Sequence, residues 1–497
     1  ADATQRAAPG PVRTPLDGAL QRQAVQLLRQ QLAELRERHV EDGAVLVLDN
    51  ASGEVRAWVG SSGAALSDAA AVDAVQARRQ PGSTLKPFVY ALAFERRLIT
   101  PASLLDDTPT RVMAGAGVYA PQNYDRRFHG WVSARTALAS SLNVPAVQLA
   151  TWLTPDAVFE RLNAHGLALA HSGGHHGPAL ALGSAEVTLL ALTNAYRSLA
   201  NGGRLSPVRL WPAASGPSTG ASAPTTVAAP AGKAVLSPAA AYLVGDILAD
   251  NTARALTFGL DSPLVTRGWA AVKTGTSKDL RDNWCIGWTE RYTVGVWVGN
   301  ASGEPMQRVS GSSGAAPIWR ALVQQLHAGQ PSRPPTPPPG VLRQVVAQVG
   351  SAADSGGAGT ATTPEVFIAG TELARIQPGG HTRQPAGVLR GIVSPRDSSL
   401  YALDPDIPPA VQRIVFEGES GQWWLDGRRL GQGPRLSWSP WPGRHRLELR
   451  LAGGRVERVG FEVRGAVART ATAPGQVGAA GQAGRAPIRE RIPLPIR

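Results

Sequence analysis

Three short segments carry hydroxyls, amines and an amide at spacings that suit covalent acyl transfer. Ser83-Thr84-Leu85-Lys86 sets a hydroxyl three residues before an amine, and Ser141-Leu142-Asn143 sets a hydroxyl two residues before an amide. Lys273-Thr274-Gly275-Thr276 sets an amine beside two hydroxyls and a glycine. Serine is a weak nucleophile until a base removes its proton. Residues three apart share a helix face, so Ser83 Oγ and Lys86 Nζ are predicted to meet. Pro81-Gly82 lets the helix begin at the serine, with its free N–H groups and positive end toward a reacting carbonyl. Lysine serves as a base only when neutral. Burial and a second ammonium, Lys273, both favour that form in Lys86. Ser141 suits relay of a proton to a leaving amine, and Asn143 suits a substrate amide because it donates and accepts. Thr274 and Thr276, with Lys273, suit a terminal carboxylate, while Gly275 permits close approach to the strand backbone.

Each segment alone is a weak signal, but lysine is scarce here. Of 50 Lys and Arg residues only Lys86, Lys233, Lys273 and Lys278 are lysine, and two of these fall inside the segments. The chain uses arginine for ordinary positive charge. Lysine at these places marks groups that must lose a proton, which arginine does not do.

The elements that must position these residues follow from periodicity. Leu20, Ala24, Leu27, Leu28, Leu32 and Leu35 fall on one helix face. Residues 44–48 and 54–59 predict a hairpin around Asp49-Asn50-Ala51-Ser52-Gly53. Residues 80–200 read mainly helical, and an apolar helix over 185–199 stops at Asn201-Gly202-Gly203. Residues 212–232 have the composition of a mobile surface loop. A strand over 270–275, a hairpin over 284–289 and 292–298, and a helix over 316–326 complete the layout. The pattern predicts an α+β fold with a mainly antiparallel sheet. Six prolines between Pro331 and Pro339 predict a stiff linker, followed by a flexible stretch over 350–363. From about residue 386 short alternating strands and the Asp426-Gly427 turn predict a small β-sandwich.

Composition bounds the rest. With 497 residues and 43% hydrophobic content the chain suffices for two or three domains. The net charge is +13, but the arginines are scattered and no nucleic-acid module or zinc-ligand pattern accompanies them. A generally basic surface is the simpler reading, and no nucleic-acid partner is expected. The single cysteine, Cys285, forbids an internal disulfide and reads as a packed thiol in an apolar strand. Trp423, Trp424, Trp438 and Trp441 read as core of the small β domain, with a glycan-stacking platform as the alternative. His175-His176 reads as loop.

The trio S-x-x-K, S-x-N and K-T-G, with its flanks, resembles the class A penicillin-binding proteins and most closely their 1C type. The resemblance is carried by residues 79–88, by Asn123-Tyr124-Asp125, and by residues 137–146, 181–188, 200–203, 273–278, 282–284 and 295–300. In the β region it rests on residues 392–395, 424–427 and 463–465. It implies a penicillin-binding-protein/β-lactamase-like transpeptidase fold over 16–328, with an antiparallel sheet flanked by helices. A linker remnant over 1–15, a Pro-rich linker and flexible segment over 329–385, an Ig-like β-sandwich over 386–466 and a disordered tail over 467–497 complete the expected organisation. Ser83, Lys86, Ser141 and Lys273 are then the expected catalytic residues. Asn143, Thr274, Gly275 and Thr276 are the expected substrate-binding residues. The implied reaction is attack of Ser83 on D-Ala-D-Ala, release of D-Ala, and transfer of the acyl group to a neighbouring stem peptide. The backbone N–H groups of Ser83 and Thr276 would form the oxyanion hole. Expected partners are peptidoglycan stem peptides, β-lactam antibiotics and, through the C-terminal domain, cell-wall synthesis proteins. Neither metal nor organic cofactor is expected. Family members carry a glycosyltransferase domain and membrane anchor before this region. The expectation is therefore a fragment from the periplasmic side of the bacterial inner membrane. The alternatives are a D,D-carboxypeptidase, a β-lactamase, whose E-x-x-x-N element this sequence lacks, or a β-lactam-binding sensor without turnover.

Overall fold

In the computed structural model, described residues are 13–110, 112–114, 117–211, 232–348, 361–376, 391–395, 397, 399–402, 413–452 and 454–464. The expected mobile loop, apart from Gly232, and the expected tail lie outside them.

The first helix, α1 (Gly18–Glu34), starts where the Asp17 carboxylate accepts hydrogen bonds from the N–H groups of Ala19 and Leu20. Its buried stripe is Leu20, Ala24, Leu28 and Leu32. This stripe covers one face of a five-stranded antiparallel sheet. The strands are β1 (Asp42–Asp49), β2 (Val55–Val59), β3 (Ala271–Thr276), β4 (Asp282–Trp288) and β5 (Tyr292–Gly299). Their order is β2-β1-β5-β4-β3, so strands from both ends of the domain meet in the centre. β3 is at the edge of this sheet.

Burial on both faces explains the near-continuous apolar run of β1. Val45 and Val47 face the core shared with α1 and with α7 (Ala316–Leu326). Ala44, Leu46 and Leu48 face the larger core on the other side. That core surrounds α2 (Lys86–Glu95), in which every residue from Lys86 to Phe94 is buried. Around it pack α3 (Ala134–Ala139), α4 (Asn143–Leu153), α5 (Leu189–Ala200) and α6 (Pro238–Ala249). The helices predicted over 80–200 are therefore a block on one face of the sheet. The protein has the α+β fold expected, with helices on both faces of an antiparallel sheet.

Residues 329–385, expected as linker and flexible segment, contain more structure than their composition announces. β6 (Val341–Gln348) pairs antiparallel with β7 (Ala361–Ile368) and parallel with the short β8 (Arg375–Ile376). Val346, Phe367 and Ile376 bury against Ala102 and Leu104 of the preceding domain, which supplies the apolar gain that a free linker lacks.

The C-terminal region is strand-rich. β9 (Ile392–Ser394), β10 (Ser399–Ala402), β11 (Ile414–Leu425), β12 (Arg428–Trp438), β13 (Gly443–Leu451) and β14 (Val456–Arg464) join in one hydrogen-bonded sheet. Its order is β9-β11-β13-β14-β10, with β12 on β11. Phe416, Trp423, Leu425, Trp438, Leu447, Leu449 and Phe461 share its core. Among the described residues no helix is long and apolar enough to cross a membrane.

Candidate active site

Ser83 lies in a 3-10 turn, Gly82–Leu85, that runs directly into α2. Two glycines let other backbone crowd this turn. A Cβ on Gly275 would stand 2.3 Å from the Pro81 carbonyl oxygen, and a Cβ on Gly183 would stand 2.3 Å from Gly82 N. Gly183 also has φ +81, which favours glycine. The Tyr196 hydroxyl on α5 donates to the Thr84 carbonyl at 2.7 Å and Trp284 Nε1 donates to the Gln80 carbonyl at 2.8 Å. The serine turn is thus pinned from three sides.

Lys86 opens α2 and is fully buried. Its Nζ donates to the Ser141 carbonyl at 2.6 Å and to Asn143 Oδ1 at 2.6 Å, and it stands 3.3 Å from Ser141 Oγ. None of these bonds goes to Ser83 Oγ. The spacing argument paired Lys86 with the serine on its own turn. The structure spends its amine on the second motif instead, because α4 begins at Asn143 directly beside it.

Ser141 follows α3 with φ +61, an uncommon conformation for a residue with a side chain. Ser140, the C-cap of α3, is tied by its Oγ to the Ala253 carbonyl at 2.8 Å. Lys273 reaches the same site from β3. Its Nζ donates to Ser141 Oγ at 2.7 Å and to the Thr274 carbonyl at 2.8 Å. Both amines are therefore gathered on one hydroxyl.

Electrostatics follow from burial. Desolvation first, then the Lys273 charge, hold the Lys86 amine well below the usual lysine range, while Asp107 opposes both. Burial pulls Lys273 down to about 7. Asp107 is itself buried and is held by Asn123 Nδ2 at 2.9 and 2.7 Å and by the His129 N–H at 2.9 Å. Asn123 Oδ1 in turn accepts from the Asn143 N–H at 2.8 Å. A chain of amides thus joins Asp107 to the residue that binds Lys86. Asn123 belongs to the quoted Asn123-Tyr124-Asp125 segment, but nothing in its spacing singled it out as part of the site. Asp107 had no sequence signal beyond its place after an apolar run.

Ser83, Ser141, Asn143, Thr274 and Thr276 line one open cavity of about 420 Å3. Thr276 Oγ1 accepts from the Gly311 N–H at 3.0 Å, which fixes the end of β3. Lys86 and Lys273 sit behind this cavity, and Gly275 faces the serine turn. The eight residues singled out in the sequence therefore converge. The arrangement offers an accessible hydroxyl, a proton path through buried amines, and hydroxyl groups on an edge strand.

Cys285, opposite Thr274 in the sheet, is fully buried, and burial pushes its thiol up. Trp423 and Trp438 are core residues of the C-terminal sheet. Trp424 lies under the Arg450 guanidinium at 4.0 Å, and Trp441 is exposed.

The profile of the family described as "Penicillin binding protein transpeptidase domain" matches residues 43–324. The profile described as "Penicillin-Binding Protein C-terminus Family" matches residues 380–461. The chain is 36% identical over 340 residues to penicillin-binding protein 1C of Escherichia coli (strain K12), covering 67% of this chain and 41% of that protein. It is 30% identical over 336 residues to penicillin-binding protein 1A of Rickettsia bellii (strain RML369-C), covering 63% and 41%. The chain thus spans about two fifths of the length of these curated relatives. In fold it is similar to penicillin-binding protein 1A from Haemophilus influenzae (TM-score 0.54, 23% identity, 67% of this chain and 54% of that one). It is likewise similar to the penicillin-binding protein PonA1 from Mycobacterium tuberculosis (TM-score 0.52, 23% identity, 66% and 86%).

Proposed function

This chain belongs to the penicillin-binding protein transpeptidase family, and from that premise we propose that it cross-links peptidoglycan stem peptides through an acyl-enzyme on Ser83. Ser83 Oγ attacks the carbonyl of a D-Ala-D-Ala amide, and D-Ala leaves with a proton. An amine from a second stem then takes the acyl group and regenerates the serine. The observation that carries the reading is the meeting of Lys86, Ser141 and Lys273 beside a cavity lined by Ser83.

The direction of the proton path follows from hydrogen-bond bookkeeping. A neutral Lys86 has two N–H groups, matched by the Ser141 carbonyl and Asn143 Oδ1, which leaves its lone pair for a proton. Ser83 gives its proton toward Lys86, and Ser141 relays one to the leaving amine. Burial first and the charge of Lys273 second keep Lys86 neutral, and Lys273 also donates to Ser141. Asn143 holds the substrate amide, while Thr274 and Thr276 receive the terminal carboxylate at the edge strand. Gly275 lets the strand lie against the serine turn. The N–H groups of Ser83 and Thr276 stabilise the oxyanion.

β-Lactams act as substrate mimics and acylate Ser83. A PonA1 structure in complex with penicillin V, from a protein of the same fold, supports this inhibitor class. The reaction belongs on the periplasmic face of the inner membrane, where peptidoglycan is assembled, and the C-terminal sheet is a place for cell-wall synthesis proteins to bind. The test is intact-mass analysis of the chain with penicillin, and separately with a D-Ala-D-Ala stem peptide plus an amine acceptor. A penicilloyl adduct on Ser83 together with cross-linked peptide is expected. Product trimmed by one D-Ala without cross-links would make the chain a carboxypeptidase, and an adduct without peptide turnover would make it a sensor.

A further inference from the structure

Glu365 falls between residue 324 and residue 380, in the stretch that neither family profile matches. It is on β7, and it is only 6% exposed. A carboxylate is costly to bury unless charge and hydrogen bonds compensate it. Here the compensation comes from the catalytic domain. Arg135 Nε donates to both Glu365 oxygens at 2.9 and 3.1 Å, and Arg135 Nη2 donates to Oε1 at 2.5 Å.

Arg135 is the second residue of α3, the helix whose C-cap is Ser140, with Ser141 next in the chain. Its guanidinium also bonds Asp246 Oδ2 at 2.6 Å and Asp250 Oδ2 at 3.2 Å. The other oxygen of Asp250 accepts the N–H groups of Thr252 and Ala253, both at 2.9 Å. The Ala253 carbonyl accepts the Ser140 hydroxyl. One short helix is therefore gripped at its start by Arg135 and at its end by Ser140, and Asp250 joins the two grips. Without Glu365, Arg135 would keep Asp246 of α6 and Asp250 at the C-cap of that helix, but its Nε would lose both of the oxygens it donates to, and with them one edge of its planar fork.

We propose that Glu365 is a positioning residue for the reaction, acting through Arg135 and α3 on the placement of Ser141. The sheet of β6, β7 and β8 is then a clamp on the second motif rather than a passive connection. The proposal rests on the acyl-serine reading above.

The test uses the full chain and measures the acylation rate constant k2 and the non-covalent constant K separately with penicillin. Acylation of the unaltered chain tests the acyl-serine reading alone. Given that, Glu365→Ala is expected to lower k2 about tenfold, since small misplacements of reacting groups carry such losses. K should stay within about twofold. Glu365→Gln keeps the shape without the charge, and should fold and fall between. Ser140→Ala breaks the other grip, so the loss in the Glu365→Ala, Ser140→Ala double variant should be smaller than the product of the single losses. Unchanged k2 in Glu365→Ala and Glu365→Gln would overturn the proposal, as would losses that multiply or a loss confined to K.

Discussion

Lys273 Nζ and Ser141 Oγ stand 2.7 Å apart, although 132 positions separate them in the chain. The donor comes from an edge strand of the sheet and the acceptor from a strained turn between two helices of the opposite layer. Lys86 approaches the same oxygen from a third element. In the proposed reaction this hydroxyl accepts from one amine and exchanges a proton with the other.

Ser83→Ala should abolish covalent labelling by a fluorescent penicillin and leave the circular dichroism and thermal unfolding unchanged, because the side chain loses one partly exposed atom. Labelling that persists in gels would remove Ser83 from the mechanism.

Lys273 carries a pH signature of stability. Its folded-state value of about 7 lies below the usual 10.4. Between these values the unfolded chain binds a proton that the folded chain refuses. Its contribution to stability is therefore fully present above about 10.4, falls as pH falls, and levels off below about 7. Lys273→Met should flatten that slope in urea titrations across the window, leaving the part that the buried Lys86 contributes. The same variant should lose ~100-fold or more in acylation, as expected for a group in proton transfer. A slope undiminished by the substitution would show that other groups set it.

Asp107 works on Lys86 in the opposite sense to burial and Lys273. Asp107→Asn keeps the size and deletes the charge, so Lys86 should give up its proton more readily. The acid limb of the acylation pH profile should move to lower pH, even where the maximal rate drops. Movement to higher pH would contradict the electrostatic role.

Gly275→Ala tests the close approach of β3 to the serine turn. The added methyl would meet the Pro81 carbonyl at 2.3 Å and Thr84 Cγ2 at 2.7 Å. Overpacking of this kind costs about 1–3 kcal/mol. Unfolding midpoints should fall accordingly, and acylation should slow as the strand moves off Ser83. An alanine variant with unaltered midpoint and rate would mean that the turn yields freely.

The sequence revealed the chemistry more fully than its wiring. Ser83, Lys86, Ser141, Asn143 and Lys273 stood out because scarce lysines coincided with short spacings. The hairpins of β1 with β2 and of β4 with β5 were legible because their apolar runs are bounded by turn residues. The bonding of Lys86 to Ser141 and Asn143 was not, since a local spacing rule has no view of a segment arriving 55 residues later. Asp107 and Asn123 were obscure for the same reason. Strands β6 and β7 were hidden by neighbouring prolines and small residues, and their apolar side chains find partners only on another part of the chain, at Ala102 and Leu104. The tryptophans divided by position. Trp423 and Trp438 fill the core, but alternation along β11 turns Trp424 to the other side, where it lies beneath Arg450.

The lone thiol behind the third motif has a practical corollary. Cys285 is shut away between Thr274 on one side and Val296 on the other, so the native protein presents no sulfhydryl to a bulky maleimide. Any cysteine introduced on the surface becomes a unique address without first deleting the native one. Paired probes, one on the exposed face of α1 and one at Trp441, would then report the distance from the catalytic domain to the C-terminal sheet before and after penicillin is added.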